Sequence, residues 1–178
     1  YRDFSEGTIG LIASSFSFGL MSAGFVVSTI LDKIGLYKTT LLAVSIQTIC
    51  VILMFTFFNP FNLVVNHFVM GIFAGMNWMS MDTWVNIVSN NKNRGKAIAY
   101  YNSAITIGFA IGPLFVGLFG VKGMFPIILA ISLMIIRSPV IIMIKKHVES
   151  VQIPKLEKKL NFSFIKIAPF IFLAIFVG

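Results

Sequence analysis

The residues of this chain whose type could do chemistry are the ionisable side chains set inside or at the ends of long apolar runs. Asp82 and His67 share one run, with His67 four residues before Gly71. Arg137 stands in the run Leu133-Met134-Ile135-Ile136-Arg137-Ser138-Pro139, and the pair Asp32-Lys33 closes another. A charge in an apolar segment is costly unless it is paired or faces a polar cavity, so such residues mark proton relays, ion paths and gates. Asp82 can pair with Arg94 as a gate, or carry a proton. His67 can titrate near neutral pH, or act as an interior hydrogen-bonding group. Arg137 can bind an anion. It also lies eight residues before Lys145, or about 12 Å along a helix, so it can instead snorkel to the surface. Gln47, Asn77, Trp78 and Asn102 are polar or amphipathic residues within the same kind of run. They can line a solute cavity, and hydrogen bonds between helices account for them equally well.

The chemistry these residues do not offer is also informative. No Ser-His-Asp set, carboxylate pair or phosphate loop is present, so no enzymatic activity is expected. Cys50 is the single cysteine, and no His or carboxylate cluster accompanies it. Neither a metal nor a cofactor is expected.

The elements that must hold these groups follow from composition. Residues of the set AVILMFWYC make up 57% of the chain and charged residues 11%, with a mean hydropathy of +0.93. Soluble domains carry about 25% charged residues, so the expected class is an all-α, polytopic membrane bundle in contact with a lipid bilayer. The net charge of +8 does not indicate nucleic acid, because the cations lie between apolar runs and read as orientation signals.

A spanning helix needs about 20 mostly apolar residues. Five segments qualify, at 8–31, 39–58, 61–88, 97–120 and 123–144, and a sixth begins near 162. The breaks carry turn chemistry: Asp32 to Gly35, Asn59-Pro60, the polar run Asn90 to Lys96, and Gly120 to Gly123. The expected organisation is a five-helix N-terminal bundle over 1–144, a cytoplasmic linker over 145–161 and the start of a C-terminal bundle over 162–178. Lys33, Lys38, Lys92, Arg94, Lys96, Lys145, Lys146, Lys155, Lys158 and Lys159 fall on one side, with Arg2 and Lys122 on the other. The first side is therefore expected in the cytoplasm. The chain opens without Met and closes inside an apolar run. Together with this orientation, these ends lead to the expectation of a piece of a longer protein with one further helix before Tyr1.

Three motifs carry a resemblance. Ser28-Thr29-Ile30-Leu31-Asp32-Lys33-Ile34-Gly35-Leu36-Tyr37-Lys38 resembles the loop signature of the major facilitator superfamily. Asp32, Lys33, Gly35 and Lys38 fit it, Ser28 replaces a Gly, and Leu36 and Tyr37 stand where basic residues are usual. Asp82-Thr83-Trp84-Val85-Asn86 followed by Arg94-Gly95 is similar to the second cytoplasmic connection of poorly characterised bacterial members. Gly108, Gly112, Pro113 and Gly117 resemble the helix-five motif of the antiporter branch, with Val116 where a Gly is expected. His67 takes a place where many members carry an Arg.

The resemblance implies helices two to six, the start of helix seven, and alternating access between two halves. Asp32, Lys33, Gly35, Lys38, Asp82, Arg94 and Gly95 would form a cytoplasmic gate. Gly108, Gly112, Pro113 and Gly117 would bend their helix. His67, Asn77 and Arg137 remain the candidates for coupling or substrate. Small residues recur as Gly10, Ser14, Ser17, Gly24 and Ser28 in the first segment, and as Ala97, Ala104, Gly108 and Gly112 in the fourth. Such stripes allow close helix packing, and the resemblance would turn them toward the missing C-terminal half. The expected function is secondary transport of a small solute, with proton-coupled export as its mode, in a bacterial inner membrane. The alternative is a non-transporting membrane remnant, or a half-subunit that needs a partner half.

Overall fold

A computed structural model describes residues 4–90, 92–120, 125–143 and 145. The expected linker, apart from Lys145, and the expected start of a second bundle lie outside the described residues. Those residues form four helices and no strand. They are α1 (Glu6–Thr56), α2 (Pro60–Val88), α3 (Arg94–Phe119) and α4 (Phe125–Met143).

The first two expected segments form one element, α1. Its 51 residues would extend about 76 Å if straight, more than twice the hydrocarbon thickness of about 30 Å. The element instead bends back at Gly35, whose φ of 78° and ψ of 168° are non-helical. This conformation is essentially restricted to glycine. The break is therefore a single residue, shorter than the charged turn expected over residues 32–35. Thr39 donates to the Gly35 carbonyl at 2.8 Å and closes the turn. A Cβ at Gly35 would meet no atom within 4 Å, so Gly35→Ala should cost backbone strain alone, about 1–3 kcal/mol. A thermal unfolding shift for Gly35→Ala no larger than for Gly10→Ala would show that the bend is not strained.

The remaining ends are set by local chemistry. The Ser5 hydroxyl accepts from the Thr8 N–H at 3.3 Å, capping α1. The Asn59 side chain accepts from the N–H groups of Phe61 and Asn62 at 2.9 and 3.3 Å, and Pro60 takes the first helical position. Before α3, Asn90 and Asn93 exchange bonds: the Asn90 side chain accepts from the Asn93 N–H, and the Asn93 side chain accepts from the Asn90 N–H, each at 3.0 Å. Gly120 ends α3 with φ 74°.

Packing centres on α2, which lies in the groove of the α1 hairpin. The arm before Gly35 buries Ile12, Ser15, Gly19, Ala23, Val27 and Leu31, at three- and four-residue steps. It runs parallel to α2. Gly19 meets the Phe68 carbonyl and Gly71 meets the Phe16 carbonyl, while a Cβ on Gly75 would approach Ala23 Cβ to 2.6 Å. Glycines here let two backbones touch, the close approach used between membrane helices. The arm after Gly35 runs antiparallel to α2 and is tied to it by polar bonds. Gln47 donates to the Phe73 carbonyl at 2.9 Å, and Asn66 donates to the Cys50 carbonyl at 2.7 Å.

The small-residue stripe of the first segment lies on a different face from the one packed on α2. Gly10, Ser14, Ser17, Gly24 and Ser28 are exposed, one step round the helix from Ser15, Gly19 and Ala23. On α3 no residue is buried, and added Cβ atoms at Gly108, Gly112 and Gly117 would meet nothing.

Helix ends gather in two groups. Phe4 stacks on Phe58 at 5.4 Å and Phe119 meets Phe125 at 4.8 Å. At the opposite end, Lys145 lies over the Tyr37 ring at 5.5 Å. The exterior is apolar, with Phe25 at 81% and Met143 at 82% exposed. Helices α1 and α3 are long and apolar enough to cross a membrane. By the same measure α2 is not among them, because Asn62, Asn66, His67, Asn77, Asp82 and Asn86 dilute its apolar length.

Candidate functional site

A cleft of about 940 Å³ opens among the four helices, within the range of small-molecule sites. From α1 it takes Phe16, Leu20 and Gln47. From α2 come Ala74, Asn77 and Trp78, and from α3 come Tyr101 and Phe109. Arg137 projects into it from α4. The antiparallel pairing of α4 with the second arm of α1 makes this meeting. It sets Lys145 against Tyr37 at one end and Arg137 against Gln47 deeper in.

The polar chemistry is a short relay. Gln47 is 4% exposed. Its Nε2 donates to the Phe73 carbonyl, which aims its Oε1 at α4, and Arg137 Nη1 donates to that oxygen at 3.5 Å. Nη1 also approaches Met134 Sδ at 3.6 Å. Gln47 stands about 18 Å along its helix from the Gly35 bend and about 15 Å from the Phe57 end, near the middle of its arm. Arg137 is therefore turned into the bundle rather than snorkelling. Trp78 and Phe109 face each other at 6.5 Å with planes tilted by 49°, and form an aromatic wall.

Of the three coupling or substrate candidates, Asn77 and Arg137 meet in this cleft. His67 does not: it is half-buried, and its Nδ1 lies 2.8 Å from the Leu63 carbonyl one turn back in its own helix. Gln47 and Trp78 line the cleft as the cavity reading of those residues has it, while Asn102 is exposed and outside it.

The residues expected in a gate gather only in part. Asp32, Lys33 and Lys38 are exposed around the Gly35 bend. Asp82 is exposed near the same end and stands beside the Tyr101 phenol. Arg94 donates to the Asn86 carbonyl at 3.4 Å rather than reaching Asp82. The reason is helical geometry: Asn86 is one turn closer to the end of α2 and meets the guanidinium first. Gly95 is exposed beside it. Gly108, Gly112, Pro113 and Gly117 lie on α3, which continues through Pro113 to Phe119.

Both departures from the loop signature have a structural role. Leu36 is buried at 3% in the core with Leu31 and Ala43. Tyr37 offers its ring to Lys145, a contact that a basic residue there would replace with repulsion. Among the polar lining residues, Tyr101 is the one the sequence does not single out. The available signal is the spacing Tyr101, Ile105, Phe109, one face of α3 turned to the cleft.

An apolar-walled helical bundle holding a cleft with a buried polar relay fits a membrane protein that handles a solute. The family model described as Major Facilitator Superfamily matches residues 1–178, and the chain belongs to that superfamily. No curated protein and no solved structure matches it. Superfamily members are transporters rather than enzymes, which supports a transporter-type function in general for this chain.

Proposed function

We propose that the chain is part of a secondary active transporter that moves a small solute by alternating access, with the Arg137 cleft as its share of the path. The observation that carries this is the convergence of Gln47, Asn77, Tyr101 and Arg137 from four helix segments on one cleft. A packed bundle with no transport role would fill that volume with apolar side chains. In this reading α1 to α4 supply five crossings of a cell membrane. The end carrying Lys33, Lys38, Arg94 and Lys145 faces the cytoplasm, in line with the excess of cations there. The exposed small-residue faces of α1 and α3 support a partner half that packs on them and completes the path. Proton-coupled export is the proposed mode, and Asp82 beside Tyr101 is its acidic element.

Radiolabelled para-toluenesulfonate, glucose and tetraethylammonium serve as anionic, neutral and cationic flux probes in proteoliposomes with an imposed pH gradient. Saturable, protein-dependent movement of one of them is expected when the chain is assayed together with the half that completes the path. Absence of protein-dependent flux for all three would favour the non-transporting alternative. Asp82→Asn separates the two roles of that carboxylate. As a proton carrier its loss should abolish gradient-driven accumulation while leaving exchange at equilibrium. If accumulation persists and only the inward–outward balance shifts, Asp82 is a gate residue.

A further inference from the structure

We propose that the Arg137 cleft is an anion subsite, which receives the carboxylate or sulfonate of a small organic acid whose apolar body lies against Trp78, Tyr101 and Phe109. The proposal names the substrate class of the transport reading and rests on it for its physiological meaning. The charge balance carries it. A guanidinium stays ionised in proteins and presents five N–H donors. At Arg137 both observed contacts, Gln47 Oε1 at 3.5 Å and Met134 Sδ at 3.6 Å, fall on Nη1 and are long and uncharged. Among the described residues, no Asp or Glu lines the cleft. Asp82 stands by Tyr101 and is not itself a lining residue. A half-buried cation beside apolar walls, without a carboxylate, is an incomplete pair.

The rest of the cleft fits what would complete that pair. The Gln47 bond to Phe73 O holds the guanidinium in place in advance, so little ordering is needed when the anion arrives. Arg is suited to bidentate capture of planar carboxylates and of sulfonates. The Trp78–Phe109 wall offers ring-sized apolar contact, and Asn77 offers one further amide. An anionic lipid headgroup carries the same charge. However, Arg137 lies about 12 Å along α4 from Lys145, deeper than a phosphate at the bilayer surface. The depth favours a dissolved organic acid.

The test uses para-nitrobenzoate and its neutral isostere para-nitrobenzamide, which quench indole fluorescence. It is run on the chain in phosphatidylcholine nanodiscs without any gradient. Trp78 lines the cleft and Trp84 is the second of two tryptophans, so a Trp84→Phe background isolates the signal. The acid should bind about tenfold or more tighter than the amide. That preference should collapse to less than about twofold in Arg137→Gln and survive in part in Arg137→Lys, whose charge is kept without the fork. Asn77→Leu should weaken both probes alike, which provides a second check if Arg137→Gln fails to fold. Equal binding of acid and amide by the parent chain would overturn the proposal. So would loss of acid binding when phosphatidylglycerol is added, because the guanidinium would then belong to lipid. The two readings fail separately: acid preference without flux of any probe sinks the transport reading alone, and flux without acid preference sinks the anion subsite alone.

Discussion

Gly71→Leu should dismantle the bundle. The Gly71 backbone lies against the Phe16 carbonyl, and the reciprocal contact joins Gly19 to the Phe68 carbonyl. A side chain at either position cannot rotate away, because the obstacle is backbone and not a flexible tip. The α1 arm must separate from α2, and with it go the buried contacts of Ser15, Ala23 and Met76. Overpacking of cores costs about 1–3 kcal/mol where neighbours can shift, and here they cannot. At least about 3 kcal/mol is expected, a fall in unfolding temperature of roughly 6–12 °C for a chain of this size. Gly19→Leu should match it. Gly112→Leu, where a Cβ meets nothing, should leave the temperature unchanged in the isolated chain. Equal loss for Gly71→Leu and Gly112→Leu in nanodisc thermal scans would refute the packing derived for α1 and α2.

Arg137→Met should separate folding from transport. The guanidinium is half-buried with neutral partners only, so replacing it with an apolar side chain of similar reach removes a desolvated charge. Such replacements are often neutral or stabilising. Flux of para-toluenesulfonate should nevertheless fall at least about tenfold, because the cleft loses its cation. Gln47→Leu should reduce the same flux less, and should lower stability by about 1–3 kcal/mol through loss of its bridge between α1, α2 and α4. A destabilised Arg137→Met with unchanged flux would reverse the roles and make Arg137 a structural residue.

The legibility of this molecule in its sequence divides along physical lines. Helix positions were readable because long apolar runs and Asn59-Pro60 leave little freedom. The turn near Asp32 was placed correctly but drawn too long, since one glycine with positive φ does the work of a loop. The face of α1 that packs on α2 is not legible from residue size: Gly10, Ser14 and Ser17 are as small as Ser15, Gly19 and Ala23. In a helix that is apolar all round, size alone does not say which face meets α2. Arg137 has two readings in the sequence, interface and interior, and Gln47, 90 positions away, holds it in the interior. In this structure Arg94 meets Asn86 rather than Asp82, a matter of helix phase across a turn that spacing does not reveal. Tyr101 gives no distinct signal on its own, because a tyrosine near a helix start is equally at home as an interfacial anchor.

The claim most open to direct test is that the cleft is a water-accessible path reached alternately from the two membrane faces. Asn77→Cys in a Cys50→Ala background places a single thiol on the cleft wall. A membrane-impermeant maleimide is then applied to right-side-out and to inverted vesicles. Alternating access predicts labelling from both faces, each suppressed by para-nitrobenzoate, while Phe25→Cys on the exposed apolar surface stays unlabelled. A thiol at residue 77 that reacts from neither face, or no faster than the one at residue 25, would contradict the account.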